Sequence, residues 1–347
     1  MTPTPEPSTE GQDQSEVFVG TANSASRAAT LRGIETRSIP AFVAGEELAE
    51  LADHDERIVV LTADLASANR LNDFAARHPD RFFNMGIAEK NMITVAAGMA
   101  STGLIPFAGT FASFAALLGY EQIRTDCAYP KMPVRILAHH SGISLGYYGS
   151  SHHATEDLAA MRAVAGLTVA CAVDANQLRA MLRASLTLDG PLYLRLGRGR
   201  DPEVYSEVPV DFEFGPATQL ANGDDLTILA TGSEVSPSLA AARLLGEQGL
   251  SVQVIDVHTI KPLDVEAIAR AATQTRGLIT VEEHNIIGGL GGAVAETLAD
   301  LRIATPLLRH GINDLYSLIG PPAALYAHYH LDAEGIREIV TEFSNTL

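Results

Sequence analysis

A chain of 347 residues, 46% of them hydrophobic, is long enough for two ordinary domains, each with its own core. Its formal net charge of −18 repels a phosphate backbone and excludes nucleic acid as a partner, yet one local arginine can still hold a small phosphorylated ligand. No apolar run reaches the ~20 residues of a membrane helix, and the polar, acidic opening MTPTPEPSTEGQDQSE does not read as a signal peptide, so a cytoplasmic protein is expected.

Residues 1–30, rich in Pro, Thr, Ser, Glu and Ala, predict a disordered tail. Strand-like apolar runs follow at 57–64, 104–110, 134–140, 167–174 and 191–197. Between them, 89–101, 155–166 and 175–186 carry helical patterns. This alternation predicts a first α/β domain over 31–205, with a mostly parallel sheet covered by helices on both faces. The acidic, Pro- and Gly-containing stretch 206–225 reads as a linker. Strand runs at 226–232, 252–258, 277–284 and 306–312 then predict a second α/β domain over 226–347.

Open α/β sheets bind ligands beyond the carboxyl ends of their strands. The polar residues there are Asp64, His139, His140, Arg198, Thr231 to Glu234, His258 and His284. Glu89, in FNMGIAEKNM, opens an apolar helix. It is either a solvated first-turn acid favoured by the helix dipole or a buried carboxyl placed to share a proton with a ligand base. Phe111 and Phe114, spaced i, i+3 after a strand, are core packing or a platform for a flat heterocycle. His140 and His152 bracket the loop HHSGISLGYYGSSHH. A metal is one reading of it, but the loop lacks a carboxylate or Cys at ligand spacing, and imidazoles presented to substrate hydroxyls fit better. Arg198, in LRLGRGRDP, is a surface arginine or a phosphate anchor. Cys127 and Cys171, in apolar stretches, read as buried thiols, and GGLGGAVAE at 288–296 as close helix–sheet packing rather than a dinucleotide cradle.

Taken together, these segments resemble the second half of transketolase, from about residue 31 onward and most specifically over 81–166. The resemblance implies a pyrimidine-binding domain followed by a transketolase C-terminal domain, with thiamine diphosphate as cofactor. FNMGIAEKNM matches the motif whose carboxylate, here Glu89, hydrogen-bonds N1′ of the aminopyrimidine. FAGTFASF places Phe114 against that ring and Phe111 beside it. ADLASAN brings Asp64 and Leu65 to the thiamine and Asn69 to the substrate channel. His140 and His152 take the positions of two histidines that act on sugar hydroxyls and phosphate. Arg198 matches a phosphate arginine, and Arg37 a second one at a longer spacing from Asp64. Catalytic roles thus fall to Glu89, His140 and His152.

Three positions depart from the family's pattern: Tyr148 stands for an aspartate reading a donor hydroxyl, Ala68 for a serine, and Leu117 for an aromatic. The substrate is therefore expected to differ from the common sugar phosphates. The metal-binding G-D-G motif is missing, since Gly223-Asp224-Asp225 lacks its second glycine. No metal site is expected here, and Mg²⁺ with the diphosphate belongs to a separate N-terminal transketolase subunit in an α2β2 complex. The rival readings are a 2-oxo acid dehydrogenase E1 β subunit, the matching half of a deoxyxylulose-phosphate synthase, and a non-catalytic homologue. GTFASF and SSHHATEDLA favour transketolase.

Overall fold

The β-branched run IVVLT forms β1 (Ile58–Thr62), whose five residues are all buried. A strand hidden on both faces needs layers above and below it, and the sequence supplies both. The computed structural model describes residues 40–198 and 202–347; the tail 1–30 and Arg37 lie outside them.

Seven strands build the first sheet. In spatial order they are β10 (Thr259–Lys261), β5 (Thr168–Cys171), β6 (Leu192–Arg195), β4 (Arg135–His139), β3 (Ile105–Phe111), β1 and β2 (Phe82–Asn84). All pairs are parallel except β10 against β5. One face is covered by α1 (Pro40–Ala52), α2 (Asn72–Arg77) and α5 (Ala175–Ser185), which share a core that includes Leu48, Phe74, Leu178 and Leu182. The other carries α3 (Glu89–Ala100), a winding segment with π-type turns at Phe114–Leu118 and Ile123–Ala128, and α4 (Asp157–Arg162). Asp174 starts α5 by accepting the Gln177 N–H at 2.8 Å, which satisfies one of the donors left open at a helix start.

The second sheet runs β12 (Leu307–Ile312), β11 (Leu278–Asn285), β8 (Leu226–Ala230), β9 (Val252–Asp256) and β7 (Thr218–Ala221), with only the β7–β9 pair antiparallel. Helices α6 (Val235–Glu247), α9 (Pro322–His328) and α10 (Ala333–Ser344) pack on one face. On the other, α7 (Val265–Gln274) and α8 (Leu290–Leu301) share a continuous core with α4 of the first domain.

Two short strands change the boundaries drawn from sequence. Within the stretch read as a linker, 218–221 pairs with β9 and belongs to the second sheet, while 259–261 of the second domain adds an edge to the first. Each is too short to show an apolar run, and β7 is only half-buried. A buried ion pair also joins this region: Arg195 Nε donates to Asp157 Oδ2 at 2.8 Å, and Tyr193 Oη–H donates to the same oxygen at 2.9 Å.

The glycine string does what close packing requires. A Cβ on Gly289 would stand 2.0 Å from Glu282 Oε2, and one on Gly291 2.8 Å from Thr280 Oγ1. The start of α8 is filled by a protein carboxylate, since Glu282 accepts the Leu290 and Gly291 N–H groups at 2.7 and 2.8 Å. Both cysteines are buried, and burial pushes each thiol up to about 12.

Candidate active site

Register brings the strand ends of the first sheet to one level. Thr62 lies beside Gly109, and Phe111 beside His139, so the chain leaves β1, β3 and β4 along a single edge. There Asp64, Arg70 and His140 all have left-handed backbone, with φ of 61°, 56° and 58°. Such conformations are costly for residues with a Cβ and collect where the surroundings need them.

Rings from separate segments converge on this edge. The Phe111 centroid is 4.6 Å from that of His140, 5.7 Å from Phe114 and 6.0 Å from His152. Phe114 and His152 are 5.2 Å apart, and Tyr148 and His152 5.0 Å. Phe111 and His140 are buried, Phe114 and His152 half-buried, and Tyr148 exposed. The cluster is a surface with a closed end and an open rim.

Beside it lie polar atoms without a protein partner among the described residues: both amide atoms of Asn69, Nδ1 of His140 and both ring nitrogens of His139. A buried polar atom left so costs about 1–3 kcal/mol. Burial holds His140 well below the ordinary histidine range, and the charges of His139, Arg198 and Arg70 push the same way. Burial lowers His152 as well and takes His139 down to about 3. These imidazoles are neutral at neutral pH, each able to give one hydrogen bond and accept another.

Glu89 opens α3 and is buried rather than solvated. One turn on, Ile93 is packed so closely to the ring-bearing segment that a Cβ on Gly119 would stand 2.2 Å from its Cδ1. Asp64 is exposed and Leu65 half-buried, with the Leu65 N–H donating to Thr62 Oγ1 at 3.2 Å. Arg198 is half-buried, close enough for its charge to reach His140.

Two neighbours, Asn84 and Arg70, escaped the sequence reading. Asn84 ties the Asp64 turn to the segment leading into Glu89: its Oδ1 accepts the Asp64 and Gly86 N–H groups at 3.1 and 3.0 Å, and its Nδ2 donates to Asp64 Oδ1 at 3.0 Å. Its Asn-x-Gly spacing, a local turn pattern, was the available signal. Arg70 acts on His140 by charge and stood next to Asn69 without a motif of its own, while His139, already among the strand-end polar residues, carries unpartnered nitrogens.

Residues 41–202 match the family described as transketolase, pyrimidine binding domain, and residues 215–336 the transketolase C-terminal domain. A transketolase C-terminal section of Methanocaldococcus jannaschii is 43% identical over 86% of this chain and 94% of its own. An apulose-4-phosphate transketolase subunit of Phocaeicola vulgatus is 38% identical over 86% and 95%. Among solved structures, a split-gene transketolase described as an inactive β4 tetramer superposes with a TM-score of 0.77 at 42% identity, covering 87% of this chain and 96% of that one. The Pichia stipitis transketolase complexed with sedoheptulose 7-phosphate shares the fold, with a TM-score of 0.75 at 20% identity over 89% of this chain and 46% of that one. With both of its domains matched in order, this chain belongs to the transketolase family, as the part that carries the pyrimidine-binding and C-terminal domains.

Proposed function

We propose that this chain is the catalytic partner of a separate diphosphate-binding subunit in a thiamine-diphosphate-dependent transketolase, moving a two-carbon ketol unit from a ketose phosphate to an aldose phosphate. The observation that carries this reading is the ring cluster, in which Phe111, Phe114, His140 and His152 from distant segments form one surface. A flat aminopyrimidine fits such a surface, and the sheltered carboxyl of Glu89 suits a ring nitrogen. Bound thiamine diphosphate supplies the carbanion chemistry that breaks and remakes a carbon–carbon bond. Glu89 holds a proton at N1′, while Phe111 and Phe114 fix the plane of the ring. Asp64 and Leu65, steadied by Asn84, line its approach. His140 and His152 orient the sugar and exchange protons with its oxygens. Arg198, with Arg70 nearby and Arg37 as a further candidate, anchors the terminal phosphate far from the breaking bond. Asn69 and Tyr148 read hydroxyls, Tyr148 where relatives of the common type use an acid.

In this reading Mg²⁺ sits with the diphosphate on the partner; among the described residues no group of three or more His, Cys, Asp or Glu could hold a metal. Ile87, Leu117 and Leu118 are exposed apolar side chains, and they suit a cleft closed by a second polypeptide in an α2β2 complex. Relatives named as subunits support the division of labour. Free thiols at Cys127 and Cys171 accord with the reducing cytoplasm. Among the described residues no helix is long and apolar enough to cross a membrane.

A second reading has one observation in its favour. The 1-deoxy-D-xylulose-5-phosphate synthase 1 of Geobacter sulfurreducens is 38% identical over 86% of this chain and 47% of that protein. Co-purification with a diphosphate-binding subunit, gel filtration, and assays with ketose phosphates, pyruvate and lipoamide test both. Ketol transfer by the mixed complex supports the proposal; turnover of pyruvate without it supports the synthase or dehydrogenase.

A further inference from the structure

The loop that carries the two site histidines belongs to the first domain in sequence, yet its anchorage is in the second. Gly142 and Ala154 close its neck with paired hydrogen bonds of 3.2 and 2.9 Å. Just inside the neck, the Ile143 N–H donates to Glu283 Oε1 at 2.8 Å. Glu283 comes from β11 and is 1% exposed. It is itself gripped: Tyr326 Oη–H donates to Oε1 at 2.5 Å and Ser233 Oγ–H to Oε2 at 2.9 Å. Gly142 has φ 56°, and a Cβ there would stand 2.1 Å from the Glu283 carboxyl carbon, so the loop must settle directly on this group.

The strand beneath is fastened to the same neck. Arg195 Nη2 donates to the carbonyls of both Ala154 and Glu283, at 3.0 and 2.9 Å. The Asn285 N–H donates to the Thr155 carbonyl at 2.7 Å. At the far side, the Gly320 N–H meets the Gly146 carbonyl at 3.3 Å, and His153 Nδ1 meets Ser317 Oγ. Burying a carboxyl here is unfavourable and pushes Glu283 above the ordinary carboxylate range, against the charge of Arg195 and three donors.

We propose that Glu283 is a positioning residue, through which the second domain sets the height and angle of the histidine loop and thereby places His140 and His152 over the ring cluster. The inference rests on the reading of those histidines as substrate groups. A displacement of about 1 Å in a positioned group can cost about 100-fold in rate, so a buried, triply held carboxylate under the loop is where such placement can be enforced.

The test uses the full chain, alone and joined to the diphosphate-binding subunit. In Glu283→Ala, amides of the loop 142–153 exchange hydrogen about tenfold faster, as expected for one lost hydrogen bond at its base. In the complex, KM for the ketose phosphate rises while thiamine-diphosphate affinity holds. Glu283→Gln, which keeps an acceptor for the Ile143 N–H, restores both. Should the alanine variant fail to fold, the double variant Tyr326→Phe, Ser233→Ala loosens the carboxylate without touching the loop and gives the same pattern in weaker form. Unchanged loop exchange in a folded variant overturns the inference, as does faster exchange spread evenly over the second domain. Faster loop exchange beside a wild-type complex that transfers no ketol unit upholds the anchorage and defeats the functional reading instead.

Discussion

The two sheets end in polar residues at the same place, beyond the carboxyl ends of their strands, but the two edges are built in opposite ways. On the first, Asn69, His139 and His140 keep buried polar atoms without protein partners, and Asp64, Arg70 and His140 sit in left-handed backbone. On the second, most of the polar groups are engaged within the protein: Asp256 leaves Oδ1 without a partner among the described residues, but its Oδ2 accepts from Gln177 Nε2 and Tyr205 Oη–H at 2.6 and 2.8 Å. Thr231 Oγ1 donates to the Val257 carbonyl at 2.9 Å, and His258 Nδ1 meets Thr259 Oγ1 at 2.8 Å. Glu282 caps α8, and His284 joins the Asn285 carbonyl at 2.6 Å and the Ala159 N–H at 3.3 Å. The rule that ligands bind at strand ends is a rule about opportunity. Unused hydrogen-bonding capacity, together with an open aromatic rim, marks the edge where a ligand can bind; the other edge uses its capacity to hold the domains together.

The sharpest way to break this comparison is Glu89→Gln, which keeps size and hydrogen bonding but cannot share a proton. Turnover of the reconstituted complex should fall about 1,000-fold with an unchanged melting curve. Near-normal turnover would remove the first edge from the chemistry altogether. On the second edge the opposite profile is expected. Glu282→Ala strips two N–H groups of their acceptor and should lower stability by about 1–3 kcal/mol in urea unfolding, with kcat preserved in the folded fraction.

Much of this was legible in the chain because it is local. The run IVVLT, the helix after Glu89 and the alternation of apolar strands with helices announce a doubly covered parallel sheet, and the structure has one. The spacing of Phe111 and Phe114 placed two rings on one side of a turn. What stayed hidden depends on distance. Strand β7 is half-buried and four residues long, so tertiary pairing rather than apolar pattern makes it a strand. That Glu283 supports a loop 140 residues earlier cannot be seen in any window of sequence. The residues Thr231, His258 and His284 looked as eligible as His140 until their partners were visible.

Acid should separate the edges next. His139, His140 and His152 are held neutral in the fold, whereas an unfolded chain binds protons on them below about pH 6.5. The stability they confer is present above that pH and is lost on acidification, towards about 3 for His139; His258, at about 4, acts with them. Asp256 on the second edge is raised to about 7, so its contribution is present below the ordinary carboxylate range and is lost as pH climbs towards 7. Between about pH 4 and 6.5 the groups pull in opposite directions. His139→Gln should remove up to about 1.4 kcal/mol per pH unit from the acid slope, and Asp256→Asn should steepen it. Urea titrations at a series of pH values measure both, and an unaltered slope in His139→Gln would show that its nitrogens find partners after all.

The smallest change in stability should come from Asn69→Leu, and its sign is what matters. Asn69 is fully buried beside Gly109 with neither amide atom partnered, so a leucine of the same branched shape removes an unmet demand and adds apolar contact. The melting temperature should hold or rise slightly while ketol transfer falls several-fold. At a residue kept for packing, stability and activity would fall together. A clear loss of stability in Asn69→Leu would mean that this edge, like the other, is satisfied from within, and the contrast between the two sheets would no longer point to the ligand.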